Sequence, residues 1–481
     1  MALCRIKNPE QTKQCKPGEL GKIIGLDRIP EVKCLREKIQ LLSDENKTQE
    51  LSTVLLQHWM PENPDDCIFF YIDGHVRIYH GNKANLTPKF VSRQKLCLSA
   101  TTEFWVNDES GAPLLVVSGE LSEKLQQIIQ DTIIPQIEQA HVLPEPPSAD
   151  HPRCTIVVDR EAYSVPFFKW LWEKKIAIIT YRKNVKDLWD ENDFQTIEID
   201  LKKKETMRIG EKEITLKDLS LREIRVLTHT GHQTAIITTN RAISTLEVAT
   251  KMFHRWKQEN YFKYGISDYD LDKMVSYGVE QIDPDKEVVN PPYRKKKYQI
   301  KKLKEKVKRL EAKFYPLLEQ AIDTSLEHMP ELTKKQSDIR EQINAYHQEI
   351  EKLEGEAEMI PKRIKLAHMP EDGRYDKLTT ESKMLMNVIK MICYRAEVAV
   401  ANLAAPYLQR EKDEKLKFVQ QIINSPVDMH ANHQEKTLTV TLYSLSAPRY
   451  NDALKELIKV LNQTETIFPG TELHLIYKMH S

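Results

Sequence analysis

The chain has 481 residues, of which 40% are hydrophobic and 30% are charged, and its formal net charge is zero. This length exceeds the size at which one hydrophobic core keeps growing, so it predicts two or three domains. The neutral balance excludes a uniformly basic nucleic-acid-binding protein, so any such binding must come from local basic patches.

The apolar segments and the cysteines restrict the expected compartment. Runs such as CIFFYI and LLVV are far too short to span a bilayer. No charged segment followed by an apolar stretch opens the chain, so we expect no secretory signal and a cytoplasmic location. The cysteines form no CxxC pair, which predicts free thiols and argues against a zinc ribbon. They are Cys4, Cys15, Cys34, Cys67, Cys97, Cys154 and Cys393.

Short strands are predicted after a polar N-terminal segment. Residues 1–62 are polar and partly helical, with the helical pattern EVKCLREKIQLL. The apolar run CIFFYI then ends at the turn residues DG, VRIYHG follows it, and FWVNDESGAPLLVV contains two strands joined by the hairpin DESG. Strands joined by such short turns predict antiparallel pairing at the start of a sheet.

Helices then alternate with buried strands. ELSEKLQQIIQDTIIPQIEQA has helical spacing, TIVVD and IAIITYRK are apolar strands, and VPFFKWLWEKK is the helix between them. Helices that connect continuous apolar strands are typical of parallel pairing, so we predict an α/β domain, a mixed sheet flanked by helices, at 63–290. Alternating segments at about 185–240 predict a β-rich insertion in which the chain leaves this sheet.

The helix after the insertion carries an unusual group of charges. It is predicted to begin near Ser244 and to include HRWKQENYFKYG, residues 254–265. Arg255, Glu259 and Lys263 are four residues apart and therefore share one helix face. A structural ladder of ion pairs has the same spacing and remains an alternative. We expect the rings of this stretch to lie mainly in the core, namely those of Trp256, Tyr261, Phe262 and Tyr264.

Residues 291–366 have heptad spacing in two runs, which predicts an antiparallel coiled-coil hairpin. The reversal is expected at MPEL, residues 329–332. The first run includes the segment from Arg294 to Lys313, which carries eleven basic residues and two acidic ones. This segment is a solvated face, a grip on DNA or a contact with a second subunit, and the sequence does not separate the three.

The remaining residues, 367–481, predict a further helix and a small β-α-β unit. The helix is ESKMLMNVIKMICYRAEVAVANLA, and the unit consists of TLTVTLYSL, YNDALKELIKVL and ELHLIYK.

Two of the predicted strands end on an aspartate. Asp73 follows IFFYI and Asp159 follows TIVV, so in a mixed sheet both lie at the edge where ligands bind. If the strands are neighbours, these carboxylates converge, and the later helix would bring Glu259 to them. His75 and His80 are predicted to lie in a turn or at a strand rim rather than to bind metal.

Three crowded carboxylates repel one another and need a divalent metal to be tolerated. Oxygen ligands without a Cys or His pair select magnesium or manganese. Two such ions activate the attacking oxygen and stabilise the leaving oxygen of a phosphodiester. The three acids therefore predict phosphoryl transfer.

These residues resemble the DDE transposases of bacterial insertion sequences, which have a ribonuclease-H-like catalytic domain and a third acid in a YREK-type helix. The resemblance rests on YIDGHVRIYHG, IVVDREAYSVPFFKWLWEKKIAIITYRK and FHRWKQENYFKYG. It implies that Asp73, Asp159 and Glu259 form the catalytic, metal-binding triad with two Mg²⁺ or Mn²⁺ ions. It also implies DNA strand cleavage and strand transfer by a homodimer that holds element ends and target DNA. The residues expected to bind DNA are Arg255, Lys263, Arg160 and Lys257.

The sequence departs from the YREK pattern in two places. Arg255 stands four residues before Glu259 as the pattern requires, but Met252 occupies the tyrosine position. Ile266 occupies the lysine position, with Lys263 nearby. These departures leave the individual phosphate contacts open.

Two alternative functions remain open at this stage. One is a nuclease or resolvase on the same fold that does not transfer strands, and the other is a catalytically inactive, transposase-derived DNA-binding or coiled-coil scaffold. In the resembling family a helical DNA-recognition region often precedes the catalytic domain. The short segment before Asp73 therefore predicts either that end recognition lies elsewhere or that the chain is shortened.

Overall fold

The structure is a computed structural model that describes all residues except 24, 61–67, 92–93, 120–122, 147, 149, 201–204, 274–277, 324–328, 409–410 and 481. The chain divides into two compact units. The first contains Met1–Gly81, Pro88–Gly278 and Leu378–Ser481, and the second contains Asn82–Thr87 and Val279–Lys377. Across the described part of the chain, no helix is long and apolar enough to cross a membrane. The predicted domain limits stay predictions.

A mixed sheet of ten described strands forms the centre of the first unit. The strands are β1 Phe69–Ile78, β2 Pro88–Val91, β3 Leu96–Asn107, β4 Pro113–Gly119, β5 Cys154–Val158, β6 Ile176–Tyr181, β7 Gln195–Asp200, β8 Glu205–Leu216, β9 Leu219–Leu227 and β10 Gln233–Thr238. Their order is β2-β3-β1-β5-β6-β10-β9-β8-β7, and β4 also pairs with β3. β1, β5 and β6 are parallel, whereas the other pairs are antiparallel. The predicted mixed sheet and the DESG hairpin between β3 and β4 are confirmed.

The first strand is continuous through the residues predicted as a turn. β1 passes through Asp73 and Gly74 because it pairs with β3 without interruption, from Tyr71 opposite Asn107 to Ile78 opposite Ala100. The predicted turn after IFFYI is therefore wrong.

The strands of the expected insertion also remain in the main sheet. β7 to β10 form a meander, and β10 pairs antiparallel with β6, for example Ile237 opposite Thr180. The interior of β10 is buried, from Ala235 to Thr238, so this strand belongs to the core. The prediction that the chain leaves the sheet here is wrong.

Helices of the first unit cover both faces of the sheet. On one face Phe70 and Ile72 of β1 pack in a core with the helices between residues 48 and 173. On the other face Phe69, Tyr71 and Val157 pack against the helix that follows Ser244. Burial on both faces explains why the strands are continuous apolar runs.

The helices before and beside the first strands of the sheet are mostly short. They are α1 Pro17–Lys22, α2 Val32–Asp44, α3 Thr48–Trp59, α4 Leu125–Ile128, α5 Ile134–Gln139 and α6 Val165–Glu173. A π-helical turn, Ile129–Ile133, joins α4 to α5. Pro135 follows this turn, and because proline has no N–H to donate, the helix cannot continue its regular bonding there.

The helix predicted to carry Glu259 is divided in two. The first part, α7 Thr245–Phe253, begins with a capping box between Ser244 and Glu247, so the predicted N-cap is confirmed. The second part is α8 Arg255–Tyr269. Between them the amide of Lys257 bonds to the carbonyl of His254 over three residues instead of four, which interrupts the α-helical ladder. The prediction of one helix is wrong, and Arg255 becomes the first residue of α8.

The second unit consists mainly of two long helices and two short strands. These are α9 Pro291–Asp323, α10 Met329–Glu358, β12 Glu287–Val289 and β13 Arg363–Lys365, with β11 Val279–Glu280 and β14 Lys377–Leu378 at the limits of the unit. Lys304 of α9 pairs with Glu354 of α10 at 2.7 Å, and Gln336 of α10 donates to the carbonyl of Leu317 at 2.8 Å. The helices are therefore antiparallel, as the heptads predict, whereas their supercoiling stays a prediction.

The reversal between the long helices is not at its predicted place. Residues 329–332 belong to α10, so the turn prediction on MPEL is wrong. The residues that separate the two helices, 324–328, lie outside the described part of the chain.

The predicted C-terminal helix and β-α-β unit are confirmed and extended. They are α11 Glu381–Ala404, β16 Thr437–Leu442, α13 Pro448–Gln463 and β17 His474–Met479, with β16 and β17 parallel. The prediction missed α12 Glu411–Asn424 and β15 Val427–Asn432, which is antiparallel to β16. The cysteines of the described residues are free thiols, as predicted, and Cys67 lies outside them.

Candidate functional site

Strand pairing brings the two predicted aspartates together. Ile72 of β1 and Val158 of β5 are the last partners of the parallel ladder, and Asp73 and Asp159 are the residues that follow them. Neighbouring strands lie about 4.8 Å apart, so the two carboxylates start from adjacent backbone positions. The residues two before them, Tyr71 and Val157, face the core on the α7 side. Because side chains alternate along a strand, both aspartates point to this same side.

Each aspartate is also fixed by its own backbone. Oδ1 of Asp73 accepts a hydrogen bond from the amide of Gly74 at 2.8 Å. Asp159 caps a short 3-10 turn, and its Oδ1 accepts from the amide of Arg160 at 2.7 Å. These bonds orient the carboxylates before any ligand binds.

Arg255 joins the two aspartates. Its Nη2 lies 3.3 Å from Oδ2 of Asp73, and its Nη1 lies 3.6 Å from Oδ1 of Asp159. The Arg255 side chain is only 13% exposed, whereas that of Asp159 is 38% exposed. A single guanidinium thus contacts both carboxylates at the end of the β1–β5 ladder, and the predicted phosphate contact of Arg255 stays a prediction.

The third predicted acid, Glu259, lies one helical turn after Arg255 and is exposed. It lines a cleft of about 950 Å³ together with Asp73. Burial raises the pKa of Tyr181, the last residue of β6, and the charges of Asp159 and Glu259 raise it further while Arg255 opposes them. The three acids therefore share one neighbourhood, with Asp73 and Asp159 in contact with Arg255 and Glu259 on the wall of the cleft.

A buried amide that the sequence did not single out fixes α8 over the sheet. The Nε2 of Gln258 donates to the carbonyls of Tyr71 and Trp105 at 3.1 and 3.2 Å and to Oδ1 of Asn107 at 2.8 Å. Gln258 is 2% exposed and immediately precedes Glu259. The placement of Glu259 therefore depends on an anchor between β1 and β3.

Replacing Gln258 with leucine is expected to destabilise the protein by about 1–3 kcal/mol, because buried acceptors lose their donor. Chemical denaturation at neutral pH measures this difference. Asn260→Leu makes the same type of change on the exposed side of α8 and is expected to stay within about 0.5 kcal/mol. Equal stabilities of the two variants would show that Gln258 is not an anchor.

His75 also lines the cleft, on β1 rather than in the predicted turn. Its Nε2 lies 2.5 Å from Oδ1 of Asp272, and its ring stacks on Phe262 with the centroids 5.0 Å apart. His75 is two residues after Asp73 and so leaves the strand on the same face, a spacing that could have identified it from the sequence.

The predicted DNA-binding lysines and arginines differ in their surroundings. Arg160 and Lys263 are exposed, whereas Lys257 donates to the carbonyl of Glu109 at 3.1 Å in the β3–β4 hairpin. Of the four rings of the α8 stretch, Tyr261 and Phe262 are buried as expected and Tyr264 is half-buried. Trp256 is 55% exposed, so the expectation that its ring lies in the core is wrong. The DNA contacts predicted for the lysines and arginines stay predictions.

The donor set suits a hard cation only in part. Asp73 and Asp159 offer carboxylate oxygens, the type of ligand that magnesium prefers, and the Arg255 guanidinium shows that a cation contacts both. However, no group of three or more His, Cys, Asp or Glu side chains in the described residues is arranged to hold a metal ion. The two aspartates therefore fit a metal, and Glu259 does not complete the set in this arrangement.

Burial raises the pKa of the Asp73 carboxyl above its ordinary value of 3.8, although Arg255 and the Gly74 amide act in the opposite direction. Folding therefore disfavours the ionised form of Asp73. This penalty is absent at pH values below about 3.8, where the unfolded chain is protonated too, and is complete above the raised pKa.

Asp73→Asn removes this penalty, so its stability relative to the parent is expected to increase as the pH rises from about 4 toward neutrality. Melting temperatures of both proteins across this range, in the presence of a chelator, measure the trend. Asp131→Asn, at an exposed carboxyl, controls for the substitution itself. The same trend at both positions would show that the raised pKa of Asp73 is not its cause.

Comparison with known protein families identifies the chain. Residues 1–481 match the family model described as "Transposase protein". The chain belongs to this transposase family. A comparison of the transposase with curated proteins found no match. Because a transposase acts on DNA, DNA is a partner of this chain, and the arrangement around Arg255 is its candidate active site.

Proposed function

We propose that the transposase cuts and joins DNA through the DDE triad Asp73, Asp159 and Glu259 in a ribonuclease-H-like domain. The observation that carries the proposal is the shared contact of Arg255 with both aspartates, one helical turn before Glu259. The central part of the sheet supports the fold assignment. There, β1 carries the first acid, its parallel neighbour β5 ends at the second, and α8 supplies the third on the face that both aspartates share.

The acids would hold two Mg²⁺ or Mn²⁺ ions. Asp73 and Asp159 would supply the first oxygen ligands, since both carboxylates already contact one cation, the Arg255 guanidinium. Glu259, on the cleft wall, would reach the metal ions beside the two aspartates by a change in its side-chain conformation. Ions bound there supply activation of the attacking oxygen and stabilisation of the leaving oxygen of a phosphodiester.

The protein side chains around the acids would position DNA. Arg255, in the first turn of α8, would contact a phosphate if bound cations took its place beside the aspartates. The exposed Lys263 and Arg160 lie on α8 and after β5, where they can neutralise neighbouring phosphates. Gln258 keeps α8, and with it Arg255 and Glu259, in register with β1.

Water is the first nucleophile in this proposal, and the freed 3′ hydroxyl attacks target DNA in the second step. Each step breaks one phosphodiester bond and forms one new phosphorus–oxygen bond, so no oxidant or further reactant is needed. Holding two ends for the second step requires two copies of the chain, so we propose a homodimer on DNA.

The test uses the full chain with labelled duplex DNA that carries the element ends, together with an unlabelled target plasmid. We expect cleavage and joined products with Mg²⁺ or Mn²⁺ and neither with a chelator. Cleavage without joined products in the presence of target would replace the transfer step with a nuclease function. No metal-dependent cleavage of end DNA would refute the proposal.

A further inference from the structure

The first long helix of the second unit, α9, has a basic stripe that its packing leaves exposed. The helix buries Ile300, Leu303 and Val307 against α10. Basic residues recur away from this buried seam at intervals of seven, four, three and four residues, which keeps them on one side of the helix. We call these residues the α9 stripe: Lys295, Lys302, Lys306, Arg309 and Lys313. All of them are exposed.

The α9 stripe has little internal neutralisation. Ion pairs between α9 and α10 use other residues, Lys296 with Glu356 and Lys304 with Glu354. On α9 itself, Glu305 lies 3.9 Å from Lys301, which is not a member of the stripe. None of the ion pairs between described residues includes a member of the α9 stripe. Its positive charge therefore faces solvent.

Two stripe lysines are placed over aromatic rings. The Nζ of Lys302 lies 4.8 Å from the ring centre of Tyr298, and that of Lys306 lies 5.2 Å from the ring centre of Tyr346. Such rings support the long side chains without removing their charge. The stripe is thus partly ordered before it meets a partner.

We propose that the α9 stripe is a sequence-independent binding surface for the phosphate backbone of duplex DNA. Its residues span 18 positions of a helix, about 27 Å at 1.5 Å per residue. One DNA strand offers a phosphate about every 3.4 Å along the duplex axis, so several phosphates match the length of the stripe. The stripe consists of lysines and one arginine, the side chains that most often contact phosphate oxygens.

This inference rests on the proposed function only in its choice of DNA as the polyanion, since the acids of the candidate active site play no part in it. The competing occupant is a second copy of this chain. That alternative predicts a change in oligomeric mass, whereas DNA binding predicts a change in the salt dependence of affinity.

The test compares two triple variants of the full chain. The stripe variant is Lys302→Gln, Arg309→Gln and Lys313→Gln, and the control is Lys38→Gln, Lys455→Gln and Lys459→Gln, which removes the same charge from exposed positions of other helices. Glutamine has nearly the helix propensity of lysine and arginine, so neither set should unfold its helix. Thermal melts confirm folding, and the single variant Arg309→Gln serves if the triple variant does not fold.

Binding of a short labelled duplex is measured between about 0.05 and 0.2 M salt in a chelator, so that no cutting occurs. For the stripe variant we expect the slope of log affinity against log salt concentration to decrease in magnitude by about 2 to 3. We also expect a loss of affinity of about tenfold at low salt. The loss should be the same for end DNA and unrelated DNA. The control variant should match the parent.

Three results would overturn the inference. They are an unchanged salt slope in the stripe variant, an equal loss in the control variant, or a change in oligomeric mass by sedimentation without a change in the salt slope. Cleavage separates this result from the proposed function, because cutting of end DNA is measured with Mg²⁺ whereas the salt slope is measured in a chelator. A parent that binds with the expected slope but never cuts would refute the proposed function and leave the α9 stripe supported.

Discussion

Replacing Asp159 with alanine is expected to lower the rate of end-DNA cleavage in Mg²⁺ by at least about a thousandfold. Asp159 is the more exposed of the two aspartates that contact Arg255, and its backbone position is set by the last pair of the β1–β5 ladder. In the proposed mechanism, Asp73 and Glu259 alone would provide too few oxygen ligands to hold two divalent ions. The lost charge stabilisation falls on the transition state, so the rate falls more than the affinity.

Single-turnover cleavage at saturating DNA measures this effect directly. Asp131→Ala removes an exposed carboxylate elsewhere in the same unit and should cut at the parent rate. Asp159→Asn keeps the size of the side chain and its ability to cap the turn before Arg160, but it lacks the negative charge. Strong loss in both Asp159 variants with unchanged melting temperatures assigns the effect to chemistry rather than folding, whereas equal cutting by the parent and Asp159→Ala would refute the proposed mechanism.

The positions of the two aspartates could be predicted because local patterns encode them. A continuous apolar run identifies a strand that is buried on both faces, and a polar residue at its end lies where the core stops. This reasoning placed Asp73 and Asp159 correctly at the end of a shared ladder, even though β1 continues past Asp73. It missed the continuation because Gly74 and the polar residues after it are typical of a turn, whereas pairing with β3 holds them in a strand.

The buried polar residues that hold the helices around the site could not be predicted, because their partners are distant in the sequence. Gln258 is a polar residue on a helix with little amphipathic character, and only the sheet beneath it shows that it is buried. Glu103 lies in β3, where alternation predicts a solvent-facing side chain, but α11 covers it from 284 residues later through Asn387. Burial of this kind results from tertiary packing, and the spacing of apolar residues along the sequence does not predict it.

A buried charge cluster beneath α11 is expected to control the stability of the first unit. Glu103 is fully buried, pairs with Arg77 and accepts a hydrogen bond from Asn387 at 2.9 Å. Lys383 and Lys390 of α11 are buried nearby, and they donate to the carbonyls of Leu271 at 2.9 Å and Asp270 at 3.2 Å. These carbonyls lie just after α8, so the cluster joins α11 both to the sheet and to the end of the helix that carries Glu259.

The charges in this cluster depend on one another. Burial alone would raise the pKa of Glu103, but the Arg77 and Lys383 cations and the Asn387 amide lower it below its ordinary value of 4.5. Burial lowers the pKa of Lys383 well below its ordinary value of 10.5 and that of Lys390 to about 8, although the charge of Glu103 opposes both shifts. Glu103 is therefore the counter-charge of the buried Arg77, and it opposes the loss of charge from the two buried lysines.

Glu103→Ala is expected to destabilise the protein by about 3–5 kcal/mol at pH 7, because it leaves buried cations without their counter-charge. Urea denaturation measures the loss. Since the pKa of Glu103 is lowered on folding, its contribution is complete above about pH 4.5 and disappears as the pH falls through the lowered pKa. The difference between variant and parent should therefore shrink in acid.

Further variants separate the buried charge from the loss of side-chain volume. Glu173→Ala, at an exposed glutamate, should change stability by no more than about 0.5 kcal/mol. The double variant Arg77→Met, Glu103→Leu removes both members of the buried pair. It should cost less than the sum of the changes measured for Arg77→Met alone and Glu103→Leu alone. If Glu103→Ala matched Glu173→Ala, or if the two single changes added without coupling, the cluster would not hold α11 and α8 together through charge.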